Sequence, residues 1–415
     1  MKFIADFHLH SKYSRATSKD MDLDNLDKWA KIKGIKVLGT GDFTHPEWLK
    51  SLREKLEPAE PGLLKLKKTD SETRFLLSSE ISCIYSKNNR VRKVHIIIFA
   101  PSFEVVEKIN AQLGWIGNLR SDGRPILGLD AKELAKIVLD SSPECLIVPA
   151  HLMTPWFSLF GSRSGFDSLE ECFEDYSKYI YAGETGLSAD PKMLWRLPDG
   201  RKLTLISNSD SHSPRKIGRE ANVFDTEISY PSILEAIKNR DPQKFLYTVE
   251  FYPEEGKYHY DGHRNCGIVL SPKETRKYNG ICPVCGKPLT IGVLNRVEQM
   301  ADREEGVTPE VIIPFKSLVP LEEIIADAIS QSPGTKRVEK EYENLIDKFG
   351  PEFNILLDVP RENLEGNTLP GIIEGIIRVR AGDVIKEAGY DGVYGKIRVF
   401  SRGEQKKVSG QNTLF

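Results

Sequence analysis

Seven short apolar runs punctuate the first ~210 residues: Lys2–Phe7, Lys36–Gly41, Phe75–Ser79, Val94–Ala100, Leu146–Ala150, Tyr179–Gly183 and Leu203–Ser207. They are close to continuously hydrophobic rather than alternating, the pattern of parallel strands buried on both faces. The intervening stretches Leu23–Lys33 and Ala131–Leu139 have helical spacing of apolar positions. Strand–helix alternation of this kind predicts an α/β barrel. From about Phe251 the pattern breaks. Residues 258–292 are rich in Gly, Pro, Tyr and Cys, which suits a small module stapled by metal. After Pro320 helical spacing runs to about Lys348, followed by a mixed segment over 353–400 and a polar tail. The expected division is a barrel over 1–250, a metal-stapled module over 251–300, a mixed, mainly helical C-terminal domain over 301–400, and a tail over 401–415.

A chain of 415 residues is long enough for two or three domains. With 40% hydrophobic and 28% charged residues it has the composition of a globular protein rather than a disordered one. No apolar run approaches the ~20 residues that span a bilayer. Asp6 arrives before a signal-peptide core could develop, so the sequence reads as intracellular, cytoplasmic and without a membrane partner. The net charge of −2 excludes a uniformly basic coat. Residues 257–300 are an exception, with seven basic residues against three acidic ones.

Polar residues cluster where the apolar runs end. His8 and His10 follow the first run, Asp42 and His45 the second, and Glu80 the third. His151 follows the fifth, Glu184 the sixth, and Asp210 and His212 the seventh. In a parallel barrel those ends form one rim, where active sites sit. His95 lies at the start of its run, so it demands an antiparallel strand or a loop-borne position. In His8-Leu9-His10, residues two apart on extended chain point the same way and can grip one ion. Nine of these side chains, His95 included and Glu184 set apart, suit two or three divalent ions. A donor set rich in imidazole favours Zn, Mn or Fe. Glu184 is expected to support a ligand from behind or to be one itself. Arg163, Arg215 and Arg219 are candidate phosphate contacts. Trp156, Phe157 and Phe160, with Phe43, Trp48 and Phe166, are candidate surfaces for stacked bases.

His263-x-x-Cys266 and Cys282-x-x-Cys285 are two short-spaced pairs about fifteen residues apart, which predicts a closed, structural zinc site. His259 is the rival of His263. The remaining cysteines, Cys83, Cys145 and Cys172, read as small core residues.

The segments Asp6–Ser11, Asp42/His45, Glu80, His95, Ala150-His151 and Asp210–His212 resemble the motifs of the PHP (polymerase and histidinol phosphatase) superfamily. The resemblance implies a distorted seven-stranded (β/α) barrel and metal-dependent phosphoester hydrolysis. It implies one ion on His8, His10, Glu80 and Asp210 and a second on Glu80, His95 and His151. A third would fall on His45 and His212, with Asp42 a further candidate. Catalysis would rest on Glu80, Asp210, His8 and His10. Two departures touch the third ion: the usual Thr-Asp-His triplet is stretched to Asp42-Phe43-Thr44-His45, and Arg15 stands where many members carry Asp or His.

Further segments resemble the endonuclease Q family within that superfamily: Gly183–Asp190, Tyr258–Cys266, Cys282–Cys285 running into Gly292–Leu294, and Gly389–Gly395. That resemblance implies a nuclease acting on damaged DNA, with nicks 5′ to deaminated bases and abasic sites; separately, the chain is expected to be a monomer. Spacing and composition by themselves reach a metal-dependent phosphoesterase with a nucleic-acid substrate, and a small-nucleotide phosphoesterase or PHP phosphatase is the alternative. Gln411–Phe415 resembles the first half of a motif for the sliding clamp (PCNA).

Overall fold

A computed structural model describes residues 1–67, 69–401, 403 and 404; the clamp-type motif at Gln411–Phe415 lies outside them. Seven strands form the ring that the apolar runs predict. They are β1 (Lys2–Asp6), β2 (Val37–Gly39), β3 (Arg74–Lys87), β4 (Arg90–Ala100), β5 (Leu146–Pro149), β6 (Ala182–Glu184) and β7 (Thr204–Ile206). β1 pairs parallel with β2, β2 with β3, and β6 with β7. The Leu152 N–H donates to the Glu184 carbonyl between β5 and β6, and the His10 N–H donates to the Ser211 carbonyl between β1 and β7. These two bonds close the ring.

The strands read as continuously apolar because both faces are covered. Phe7, Val37, Leu76, Ile97, Val148 and Ile206 belong to one buried cluster. Their neighbours Leu38, Leu77, Ile96, Ile147 and Leu205 belong to another, with the apolar faces of α1 (Leu23–Lys33), α2 (Pro46–Lys55), α3 (Phe103–Ile116) and α4 (Ala131–Ser141).

The third, fourth and sixth strands differ from their sequence outlines. The third run does not end at Ser79, because β3 continues to Lys87 and turns straight into β4, which runs antiparallel to it. Asn88 and Asn89, with φ of 56° and 58°, make the two-residue turn, the doubly left-handed type whose backbone matches the twist of the flanking strands. β4 is also antiparallel to β5 and begins at Arg90, so His95 falls at the middle of its strand rather than at the start and reaches the site from there. The sixth strand begins only at Ala182, because 174–179 forms a short 3₁₀ helix.

Beyond the ring, β8 (Ala221–Asp225) pairs antiparallel with β1, and β9 (Phe245–Glu250) pairs with β8. Phe315–Ser317 then adds parallel to β9. The C-terminal region is built from α5 (Leu321–Ala328), α6 (Lys336–Phe349), α7 (Glu352–Leu357) and α8 (Pro370–Ala381). On α6 the buried side chains Val338, Tyr342 and Leu345 fall at the i, i+4, i+7 spacing of one helix face. Lys33 at the end of α1 reaches Glu352 on α7 at 2.5 Å, and the Tyr342 hydroxyl donates to the same carboxylate at 2.6 Å. Residues 385–398 form a small ribbon that returns to the Cys/His module, where Asp391 accepts from the Arg264 N–H and the Thr290 hydroxyl. Among the described residues no helix is long and apolar enough to cross a membrane.

Candidate metal centre

Glu80 lies at the middle of the rim cluster. Its position on β3 and the Ser82↔His95 register put Glu80 and His95 on one face of the β3–β4 hairpin. Glu80 Oε1 is 2.8 Å from His95 Nδ1 and 3.2 Å from His151 Nε2. Glu80 Oε2 is 3.3 Å from His10 Nε2 and 3.6 Å from His8 Nε2. Asp210 Oδ1 is 3.1 Å from His10 Nε2 and 3.7 Å from His8 Nε2. Two groups of donor atoms therefore converge, His8/His10/Glu80/Asp210 and Glu80/His95/His151, each compact enough to hold an ion. They share one carboxylate. The backbone is strained at this rim: Asp42, His151 and Asp210 all have φ between 31° and 50°, a region non-glycine residues rarely occupy and one that clusters at functional sites.

The electrostatics favour cations. Burial alone would raise Glu80, but His95, Arg124 and His8 outweigh it and hold its carboxyl well below the ordinary range. Burial would lower His8, yet Glu184, Glu80 and Asp210 lift it well above its usual value. His95 goes the other way, to about 4, because burial dominates there. Among the described residues His8 Nε2 is buried with no hydrogen-bond partner, an arrangement costly in itself that a metal ion would satisfy. The donor set fits divalent ions.

The ligands are oriented from behind. Glu184 is fully buried and faces His8 Nδ1 at 2.9 Å, while accepting from the His151 N–H at 2.9 Å and the Asn208 amide at 3.0 Å. It supports ligands rather than joining either group. Asp42 does the same for His10, 3.1 Å from Nδ1, and also accepts from the Ser11 N–H and the Ser11 and Ser14 hydroxyls.

The third group expected on Asp42, His45 and His212 does not assemble among the described residues. Asp42 has its oxygens committed. His45 Nε2 donates to the Arg120 carbonyl at 3.2 Å while its ring stacks on Tyr13. His212 Nδ1 bonds the Asp210 carbonyl.

Of the expected substrate contacts, Trp156 is 40% exposed and packs edge-on against Tyr258, with Arg163 above it. Phe160 is a core ring instead, wholly buried with Phe43, Trp48 and Phe166. Phe157 packs on the His95 ring. Arg215 lines the cleft that opens beside the cluster and is paired there with Glu322 on α5 and Glu339 on α6, at 3.2 and 2.9 Å. Arg124 is the residue that the sequence reading missed: its Nη1 is 3.0 Å from Glu80 Oε2. A cleft of about 1080 Å³ opens beside the cluster, lined among others by Asp210, Trp156, Arg219, Lys257, Tyr258 and Tyr394.

His263, Cys266, Cys282 and Cys285 form a third donor group, with Cys285 Sγ 3.4 Å from His263 Nδ1. Cys282–Gly286 closes a tight turn in which the Gly286 N–H donates to the Cys282 carbonyl, and Gly286 has φ of 72°. Despite the cost of desolvation, the Cys285 and Val284 N–H groups lower the Cys282 thiol to about 6, which favours a thiolate ligand. His259 lies outside the group, buried nearby.

A seven-stranded ring with this histidine–carboxylate cluster at its rim is a PHP-type barrel, and the PHP-associated family model matches residues 195–242. The MJ0043 C-terminal domain model matches residues 320–383. The chain superimposes on the lesion-specific endonuclease PfuEndoQ from Pyrococcus furiosus with a TM-score of 0.86 at 31% identity, covering 96% of this chain and 95% of that one. Against an endonuclease Q in complex with a 27-mer duplex carrying an abasic lesion at its active site, the TM-score is 0.85 at 30% identity, over 98% of each chain. The chain belongs to the endonuclease Q family. An uncharacterized protein of Methanocaldococcus jannaschii is 34% identical over 252 residues, 59% of this chain but 31% of that protein. This chain thus matches about a third of that relative's length.

Proposed function

We propose that this protein is a metal-dependent DNA endonuclease that nicks 5′ to deaminated bases (hypoxanthine, uracil, xanthine) and abasic sites, leaving 3′-hydroxyl and 5′-phosphate ends. One observation carries the reading: two donor groups sharing Glu80 sit beside a large cleft, in a chain that aligns over nearly its whole length with lesion-specific endonucleases.

Divalent ions held by His8, His10, Glu80 and Asp210, and by Glu80, His95 and His151, would activate water and neutralise the phosphate oxygens. This chain's own residues do the rest. Glu184 and Asp42 fix the rings of His8 and His10 so that each presents Nε2 to the site. Trp156 and Tyr258 form an aromatic wall on which an unstacked nucleotide can rest. Arg219 and Lys257 line the same cleft and supply the positive charge that phosphate binding requires. The phosphate 5′ to the displaced nucleotide would then lie beside the ions that Glu80 and Asp210 would help to hold. The Cys/His group supports a structural zinc, which would fold a basic module too small for a core of its own.

Single-lesion duplexes test this directly, with EDTA and metal add-back. His8→Ala, Glu80→Ala and Asp210→Ala are each expected to abolish nicking while retaining the wild-type circular dichroism spectrum. Full activity in any one removes that residue from the centre. Release of phosphate from histidinol phosphate, without nicking, would replace the proposal with a phosphatase.

A further inference from the structure

Arg124 belongs to none of the sequence motifs, yet it contacts the carboxylate that both donor groups share. Its Nη1 lies 3.0 Å from Glu80 Oε2, the oxygen that faces His8 and His10. Glu80 is fully buried, whereas the Arg124 side chain is 27% exposed, so the guanidinium reaches the centre from its open side.

The loop carrying it is pinned. The Thr44 hydroxyl donates to the Gly123 carbonyl at 3.2 Å, and the Gly123 N–H donates to the Tyr13 carbonyl at 3.1 Å. Asp122 accepts from the Arg124 and Arg15 N–H groups. A Cβ on Gly123 would sit 2.2 Å from Asp42 Oδ2, so only glycine lets the loop pass this close. Arg124 is held at the cluster, not merely passing it.

Arginine cannot shed its charge. An ion bound by His8, His10, Glu80 and Asp210 would compete with Arg124 for one oxygen and would leave two cations facing each other. A phosphodiester resolves the conflict, because its two non-bridging oxygens can face the ion and the guanidinium fork together.

We propose that Arg124 is a phosphate-binding residue of this centre and couples ion loading to DNA binding, releasing Glu80 to the ion as it takes the phosphate. The proposal rests on the nuclease reading above. Coupling of this kind is reciprocal: DNA tightens the ion and the ion tightens DNA.

The test is calorimetric titration of Mn²⁺ into protein purified without added metal, alone and with the nicked product duplex, which has no bond left to cut at that position. Without DNA, Arg124→Gln is expected to bind Mn²⁺ about tenfold more tightly than wild type, because the competing cation is gone. The tightening that the duplex produces in wild type should fall below about twofold. Arg124→Lys keeps the charge but not the fork. It should bind Mn²⁺ like wild type without DNA and still lose most of the coupling. If Arg124→Gln binds Mn²⁺ no more tightly than wild type, or either variant keeps full coupling, the proposal is overturned. The DNA-free arm reads the Arg124–Glu80 competition even if wild type fails to nick damaged DNA, so the two readings fail separately.

Discussion

Glu184 grips His8 from the side opposite the ion site: its carboxylate lies 2.9 Å from Nδ1, which leaves Nε2 facing Glu80 and Asp210. The same carboxylate accepts the His151 N–H, so one buried acid orients a ligand from each of the two donor groups. Partners of this kind fix tautomer and ring orientation, and their loss typically costs 10–100-fold in metal affinity. Glu184→Gln should therefore weaken Mn²⁺ binding by that factor, with nicking recovered at high Mn²⁺. Unchanged affinity by calorimetry would reduce Glu184 to a packing role.

Cys282 is the buried member of the Cys/His group, and Cys285 is exposed. A module of short strands and turns would draw much of its folding energy from a metal held by this group. Cys282→Ser should remove one zinc equivalent by elemental analysis, lower the melting temperature by several degrees, and weaken DNA binding through the basic module. A variant with wild-type melting and zinc content would count against a structural site.

Trp156 and Phe160 lie four residues apart and separate cleanly by exposure. A base stacked on an aromatic ring contributes ~1–3 kcal/mol by alanine substitution. Trp156→Ala should lower affinity for lesion duplexes about ten- to a hundredfold, with Trp156→Phe restoring part of it. Phe160→Leu should lower thermal stability and leave DNA affinity alone, because that ring is wholly buried in the core. Equal DNA-binding losses in both would point to collapse of the loop instead.

The parts of this site legible in the sequence were those that short-range geometry determines. His8 and His10 declare themselves because residues two apart on a strand share a face. His263/Cys266 and Cys282/Cys285 do so because their spacing closes a tetrahedron. Glu80 was found for an incomplete reason. It seemed to end a strand that in fact runs on to Lys87, and the Asn88-Asn89 turn was the unread signal. Arg124 and Arg215 show what spacing cannot supply. Arg124 meets Glu80 across 44 residues, and Arg215 is claimed by carboxylates 107 and 124 residues away. Which carboxylate each arginine meets is decided by tertiary packing, and the spacing of basic residues near motifs does not carry that information.

Glu220 and Glu250 lie side by side just beyond the Ala221↔Val249 pair of β8 and β9, both fully buried, each with one oxygen lacking a partner among the described residues. Two ionised carboxylates there would repel in a low dielectric. Burial raises Glu250 from 4.5 to about 8, and burial together with Glu250 holds Glu220 well above its ordinary value. The folded state thus keeps protons that the unfolded chain gives up. For a raised carboxyl, stability is fully present below the unfolded value near 4.5 and is lost as pH climbs towards 8. Glu250→Gln supplies the neutral form at every pH. It should flatten the fall in melting temperature between pH 5 and 8 and leave the variant more stable than wild type at the alkaline end, by a margin on the order of a few kcal/mol. If the wild-type slope persists in Glu250→Gln, the proton resides elsewhere, and Glu220→Gln becomes the variant that should remove it.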